Sequence, residues 1–158
     1  MAKGGKKHKR GFGISEYGVD VKEALQKYVE ILHKSPLKVR SIVLFGSRAR
    51  GNHKQWSDTD VIIIAENPSC KVDLNPAEVW GIGLEPKIYT PKEFIREVKE
   101  HNLTALDAIH EGINIYDDGF WDEARRVFKK VKREYKLKRI KGGWIALNWS
   151  ISPLGRKA

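Results

Sequence analysis

Residues 46–64 read GSRARGNHKQWSDTDVIII, and with the apolar VRSIVLF of residues 39–45 before them they decide the fold. Val39 to Phe45 is β-branched and apolar, the composition of a buried strand. Asp58 to Ala65 (DTDVIIIA) reads as a second strand, apolar on both faces in its C-terminal half, as a central strand must be. Between the two lie a turn, a short helical stretch and a polar loop. Strand side chains two residues apart share a face, so Asp58 and Asp60 present their carboxylates together. Such a pair repels itself unless a cation lies between, and a hard, oxygen-liganded Mg²⁺ is the usual answer. At the end of the first strand, Gly46-Ser47 leads into a helix N-terminus, where free amides favour phosphate. Gly46 allows close approach to the backbone, Ser47 adds a hydroxyl, and Arg48 and Arg50 are placed to reach anionic oxygens. A phosphate cradle beside a metal-binding carboxylate pair equips a chain for two-metal phosphoryl or nucleotidyl transfer.

Outward from this segment the chain alternates between helical and extended patterns. Val21, Leu25, Tyr28, Val29 and Leu32 fall on one face of a helix that Ser35-Pro36 stops. Asn67 to Asn75 is turn-rich, and Pro76 to Trp80 suits a helical turn. A third strand fits Leu84 to Tyr89, with Pro86 demoting it to an edge or an irregular start. Thr90-Pro91 opens a helix to about Glu100 as N-cap and first turn, and Asn102 to His110 forms another. Ile113 to Tyr116 is a short strand, and Asp117-Asp118-Gly119 begins a last helix whose apolar positions run from Phe120 to Tyr135. There is no internal repeat. The pattern predicts an α+β fold, a small mixed β-sheet covered by helices. Its expected divisions are a basic flexible arm (1–13), a central domain (14–118), and a basic helix with a tryptophan-containing tail (119–158).

Composition excludes several classes. The 158 residues are 41% hydrophobic and 32% charged, with a mean hydropathy of −0.51, as in a soluble globular domain. The longest apolar run, Val61 to Ala65, falls far short of the roughly 20 residues of a membrane span. No apolar segment follows the basic Met1 to Arg10, so no secretory signal is expected. The single cysteine, Cys70, leaves no internal disulfide and no cysteine-rich zinc site, and fits a cytoplasmic location. The net charge of +10 is segregated: +6 over residues 1–40, −5 over 41–120 and +9 over 121–158. Basic ends attract polyanions or simply solvate the surface, whereas an acidic middle suits divalent cations.

The segment Gly46-Ser47-Arg48-Ala49-Arg50-Gly51, then Ser57-Asp58-Thr59-Asp60, resembles the minimal nucleotidyltransferases of the DNA polymerase beta-like superfamily. Their signature is Gly-Ser, ten residues, then Asp-x-Asp. Residues 88–94 and 111–117 also resemble the family, so the likeness runs over roughly 20–118. It implies a polymerase beta-like palm fold that binds Mg²⁺ and an NTP, ATP by preference, and moves a nucleoside monophosphate to a hydroxyl acceptor with release of pyrophosphate. It implies that Asp58 and Asp60 bridge two Mg²⁺ ions and that Gly46 and Ser47 hold the β/γ-phosphates. A third family carboxylate, on the neighbouring strand, falls at Glu85, with Asp73 and Glu111 as substitutes. Some members act as antitoxins that adenylylate a partner toxin, so the acceptor is RNA or a protein, and the oligomeric state is open.

Each of these residues also has a plainer role to fill. Asp58 and Asp60 are candidate turn caps, Arg50 a structural ion-pair partner, and Asp117-Asp118 a helix cap. His33, His53, His101 and His110 lack metal-ligand spacing, and only His53 lies in the functional loop. Trp144 and Trp149, among basic residues such as Arg156, either stack on bases or dock onto the core. There is no phosphate-loop motif, and Gly81-Ile82-Gly83 lacks the third glycine of a dinucleotide loop. Against the enzyme stand two alternatives: a nucleic-acid-binding module, and a pairing protein with a weak or inactive site.

Overall fold

A computed structural model describes residues 11–148. Residues 1–10 of the expected arm, and Trp149 and Arg156 of the tail, lie outside the described residues. The described residues form five helices, α1 (Val21–Lys34), α2 (Ser47–Arg50), α3 (Pro91–Lys99), α4 (Leu103–Glu111) and α5 (Phe120–Tyr135), a 3-10 turn at Ala77–Val79, and six strands. The strands are β1 (Val39–Phe45), β2 (Thr59–Ala65), β3 (Leu84–Tyr89), β4 (Ile113–Asp117), β5 (Leu137–Ile140) and β6 (Gly143–Ala146). The α+β expectation holds: four strands form a mixed sheet in the order β3-β2-β1-β4. β1 runs antiparallel to both β2 and β4, while β2 and β3 are parallel.

The two central strands are apolar on both faces because both faces are covered. Val43, Phe45, Ile62 and Ile64 face α3, α4 and α5. The alternate residues Ile42, Leu44, Val61 and Ile63 face α1 and the turn around Val79 and Ile82. Each such side chain, fully buried, contributes about 1.5–3 kcal/mol. The period of two along β1 and β2 therefore divides one sheet between two cores, which holds it rigid from both sides.

Local signals set the helix ends. The Asp20 side chain accepts from the Glu23 amide to start α1, and Ser35 ends it. Thr90 and Glu93 form a reciprocal capping box at α3, with Pro91 in the first turn. Asp117 and Asp118 cap α5 through the Trp121 and Phe120 amides, so they are structural groups. α5 packs in the same core as α3 and α4, through Phe120, Trp121, Ala124, Phe128, Val131 and Tyr135. The opposite face of α5 is a stripe of lysines and arginines.

Pro86 sits in the outer strand, as its chemistry requires. The Thr59 amide donates to the Gly83 carbonyl at 2.8 Å, which fixes the parallel register. By alternation, Glu85 and Lys87 turn their backbone groups to β2, and Pro86 turns its missing donor to the open edge.

The tail brings a difference from expectation. Residues after α5 form a hairpin of β5 and β6, and Trp144 returns to the core. Its indole Nε1 donates to Asp107 Oδ1 at 2.9 Å, and its ring meets Phe128 and His110 edge-on. Of the two roles open to Trp144, docking is the one it fills. Among the described residues, no helix is long and apolar enough to cross a membrane.

Candidate active site

The strand directions bring the quoted segment together. β1 ends where antiparallel β2 begins, so Phe45 lies opposite Asp60 and Gly46 follows directly. β3 is parallel to β2 with Glu85 in register with Asp60. Paired residues on neighbouring strands point the same way, with strands about 4.8 Å apart. Gly46, Ser47, Asp58, Asp60 and Glu85 thus gather at one end of the sheet.

Gly46 is the tightest point. Its φ of +80° and ψ of −159° belong to a region open only to glycine. A Cβ there would lie 2.5 Å from Asp60 Oδ2, so the Asp60 carboxylate rests directly against the turn. With four residues α2 has little macrodipole, but its first amides, Ser47 and Arg48, have no helical partner. The Gly46 amide is differently used: it donates to Glu111 Oε2 at 2.9 Å.

Glu111 also accepts from Arg50 Nη1 at 2.9 Å, and its side chain is only 9% exposed. Arg50, expected to reach nucleotide oxygens, is thereby an ion-pair partner. Glu111 was a substitute for the third carboxylate, and the structure gives it another task, clamping the Gly-Ser turn from the end of α4. Asp73, the other substitute, accepts from the Asn75 amide and lies near Tyr28.

The Arg48 side chain, expected to reach anionic oxygens, is turned into the protein. It is 2% exposed, and its guanidinium donates to the carbonyls of Phe12, Lys54, Gln55 and Ser57 at 2.8–3.3 Å. Planar geometry with five donors is what allows one side chain to hold so many carbonyls. Arg48 therefore ties the loop preceding Asp58 to α2. His53 lies beside it, where burial and the Arg48 charge hold its imidazole below the usual range. His33, His101 and His110 pack edge-on against Tyr116, Tyr135 and Trp144.

Asp60 is the electrostatic centre of the group. Burial raises its pKa, and the charges of Asp58 and Glu85 add to the rise; Lys87 and Arg50 oppose it. Lys87 lies two residues beyond Glu85 on the same strand face, a cation that sequence reading overlooked. Its signal was the period-2 pattern of β3 itself, which places it with Glu85.

Among the described residues, no three His, Cys, Asp or Glu side chains form a ready metal cage. The donor set nevertheless fits a hard divalent ion. It is all oxygen, mutually repelling, and Mg²⁺ is ordinarily held by one or two carboxylates plus substrate phosphates rather than by protein alone. The strain on Asp60 is of the kind a cation relieves.

A family model described as a nucleotidyltransferase domain matches residues 25–142. A protein of Methanocaldococcus jannaschii named as a protein adenylyltransferase, MJ1305, is 31% identical over 127 residues, covering 72% of this chain and 82% of that protein. A second such protein from the same organism, MJ1379, is 48% identical over 44 residues, which are 28% of this chain and 43% of its own length. A crystal structure of a toxin-antitoxin with AMP-PNP matches with a TM-score of 0.44 at 13% identity, over 73% of this chain and 86% of that one. A structure from Sulfolobus solfataricus named as a nucleotidyltransferase gives 0.39 at 17% identity, over 61% and 80%.

Proposed function

This chain belongs to the nucleotidyltransferase domain family, and on that premise we propose that it transfers AMP from Mg²⁺-ATP to a hydroxyl acceptor on a protein. One observation carries the reading: the Asp60 carboxylate, charged against Asp58 and Glu85, rests on the backbone of the Gly46-Ser47 turn. A phosphate held by that turn and a cation held by those carboxylates would be adjacent. The protein acceptor follows the name of the MJ1305 relative.

Asp58 and Asp60 would hold the metal, with Glu85 completing the set on the acceptor's side. When bound, Mg²⁺ supplies Lewis-acid stabilisation of the charge that builds on the phosphoryl oxygens. The Ser47 hydroxyl and the Ser47 and Arg48 amides bind the phosphates. Lys87 lies where it can balance charge developing beside Asp60. The acceptor oxygen forms a bond to the α-phosphorus as the bond to the β-phosphate bridging oxygen breaks. Pyrophosphate leaves, and the acceptor proton passes to Glu85. The Glu111 and Arg48 side chains touch no reacting atom in this scheme; they position the turn and the Asp58 loop.

The test is label transfer from α-labelled ATP, with and without EDTA, for wild type, Asp58→Ala and Asp60→Ala, together with nucleotide binding by calorimetry. Metal-dependent ATP binding lost in both variants supports the reading. Binding that is absent, or indifferent to metal and to both aspartates, refutes it.

A further inference from the structure

Beside Asp58 and Glu85 lies a cleft that neither Gly46 nor Ser47 lines. It has a volume of about 350 Å³ and includes Asp58 and Glu85 in its wall. Three large aromatics stand at it: Trp56, Trp80 and Tyr17, exposed by 68%, 66% and 60%. Tyr17 and Trp80 lie against each other, with ring centroids 4.8 Å apart. None of the three belongs to either hydrophobic core.

Their loops are held in place. The Glu16 amide donates to the Gln55 carbonyl at 3.0 Å, joining the Tyr17 loop to the Trp56 loop. Arg48 pins the carbonyls of Gln55 and Ser57 on either side of Trp56. Thr59 binds the Ile82 carbonyl through its hydroxyl and the Gly83 carbonyl through its amide, which anchors the turn after Trp80. Gly81, at φ +103°, lets that turn close on Val19, where a Cβ would come within 3.0 Å of the Val19 side chain. Three loops from separate parts of the chain, their backbones tied together, thus present exposed aromatic faces beside the carboxylates. Rigid Tyr and Trp side chains give contact area at low entropic cost and dominate binding hot spots.

Charge selects the occupant. In a protein of net charge +10, this cleft is lined by Glu16, Asp58 and Glu85 and, among the described residues, by no lysine, arginine or histidine; with Asp58 and Glu85 shared with the metal, Glu16 is the carboxylate left to a ligand. A nucleic-acid acceptor would find in this wall no cation for its phosphates and the Glu16 carboxylate against them. A polypeptide with basic residues would find complementary charge there and aromatic faces for its stems.

We infer that the Tyr17–Trp56–Trp80 cleft docks the acceptor, a polypeptide segment in which the hydroxyl-bearing residue is flanked by lysine or arginine. This rests on the nucleotidyltransfer reading of Asp58, Asp60 and Glu85, since it is their position that makes the cleft an acceptor site. The basic stripe of α5 plays no part in it.

The experiment uses the full chain and three probes: heptapeptides with a central Ser, Thr or Tyr flanked by arginines, the same peptides flanked by glutamates, and a single-stranded hexaribonucleotide. Binding is followed by tryptophan fluorescence and calorimetry at 150 mM salt, with Mg²⁺-ATP affinity measured separately. Arginine-flanked peptides are expected to bind at least tenfold more tightly than glutamate-flanked ones. That preference should fall at least fivefold in Trp80→Ala and in Glu16→Lys, both exposed positions at which folding is not at stake. Mg²⁺-ATP affinity should stay within twofold of wild type in both. Equal binding of the two peptide sets, or no binding of either, overturns the inference. So does RNA binding that Trp80→Ala abolishes, or a loss of ATP affinity in that variant, which would make the cleft a base site. Failure of the wild-type protein to bind Mg²⁺-ATP would instead remove the nucleotidyltransfer reading while leaving peptide docking as measured.

Discussion

The carboxylate of Glu111 and the amide of Gly46, 65 residues apart in the chain, are joined by a hydrogen bond of 2.9 Å. Through it the end of α4 sets the position of the turn that begins α2. The pair is nearly out of solvent, so neither partner can turn to water when the other is removed.

Glu111→Ala leaves the Gly46 amide and Arg50 without their acceptor. An unsatisfied buried donor costs about 1–3 kcal/mol, and denaturant unfolding should show a loss of that size. Glu111→Gln keeps an acceptor for the amide and should lose less than Ala. Nucleotide affinity should fall in the same order, and equal stability of the two variants would contradict the clamp.

Gly46→Ala places a methyl group 2.5 Å from Asp60 Oδ2 in a conformation only glycine adopts freely. The strain is on the order of 1–3 kcal/mol, and relief requires Asp60 to move. Metal-dependent ATP binding should weaken by at least tenfold while far-UV circular dichroism stays unchanged. Retention of wild-type affinity would separate the turn from the site.

Asp60 has its pKa raised in the folded state, by burial first and then by Asp58. The folded protein therefore holds that proton more tightly than the unfolded chain. The stabilisation is present in acid and is lost as pH rises through the folded-state pKa. In EDTA at neutral pH, Asp60→Asn should melt above wild type, and the difference should shrink as pH falls through the carboxylate range. Mg²⁺ with ATP should raise the melting temperature of wild type alone. A variant less stable than wild type at neutral pH would refute the electrostatic account.

Arg48→Met keeps the apolar stem of the side chain and removes every donor to the carbonyls of Phe12, Gln55 and Ser57. Losing several buried hydrogen bonds at once should cost about 3 kcal/mol. Hydrogen exchange should show faster opening around residues 54–57 than elsewhere. A direct phosphate ligand would behave differently: ATP binding would collapse with no change in stability or in loop exchange.

Much of this architecture is legible in residue order. Val39–Phe45 and Leu84–Tyr89 are strands with the ends read from the sequence: VRSIVLF is β-branched and apolar, whereas LEPKIY is bounded by the glycines before it and the Thr90-Pro91 helix start after it. The Thr90-Pro91-Lys92-Glu93 signal starts α3 where a capping box should. The β5–β6 hairpin was not legible: LKRI carries two cations in four residues, and only its pairing with β6 and the burial of Leu137 make it a strand. In the site, the Gly-Ser and Asp-x-Asp spacing brings Gly46, Asp58 and Asp60 together, since strand directions follow from a short connection. What Arg48, Arg50 and Glu111 bind was beyond reach, because each choice depends on a partner from a distant segment. Charge placed both arginines near anionic oxygens, with an ion pair as the other role open to Arg50; the structure buries Arg48 and pairs Arg50 with Glu111.

Pro86 has a consequence for how this molecule meets other molecules. An open sheet edge offers a template on which a foreign strand can pair, and β3 is such an edge. Pro86 turns its missing donor outward at the middle of that edge, so a strand arriving there finds a break one residue from Glu85. Self-association through sheet extension is thereby discouraged at the edge strand that carries Glu85. A residue that weakens a strand's margin thus guards the approach to the carboxylate beside it.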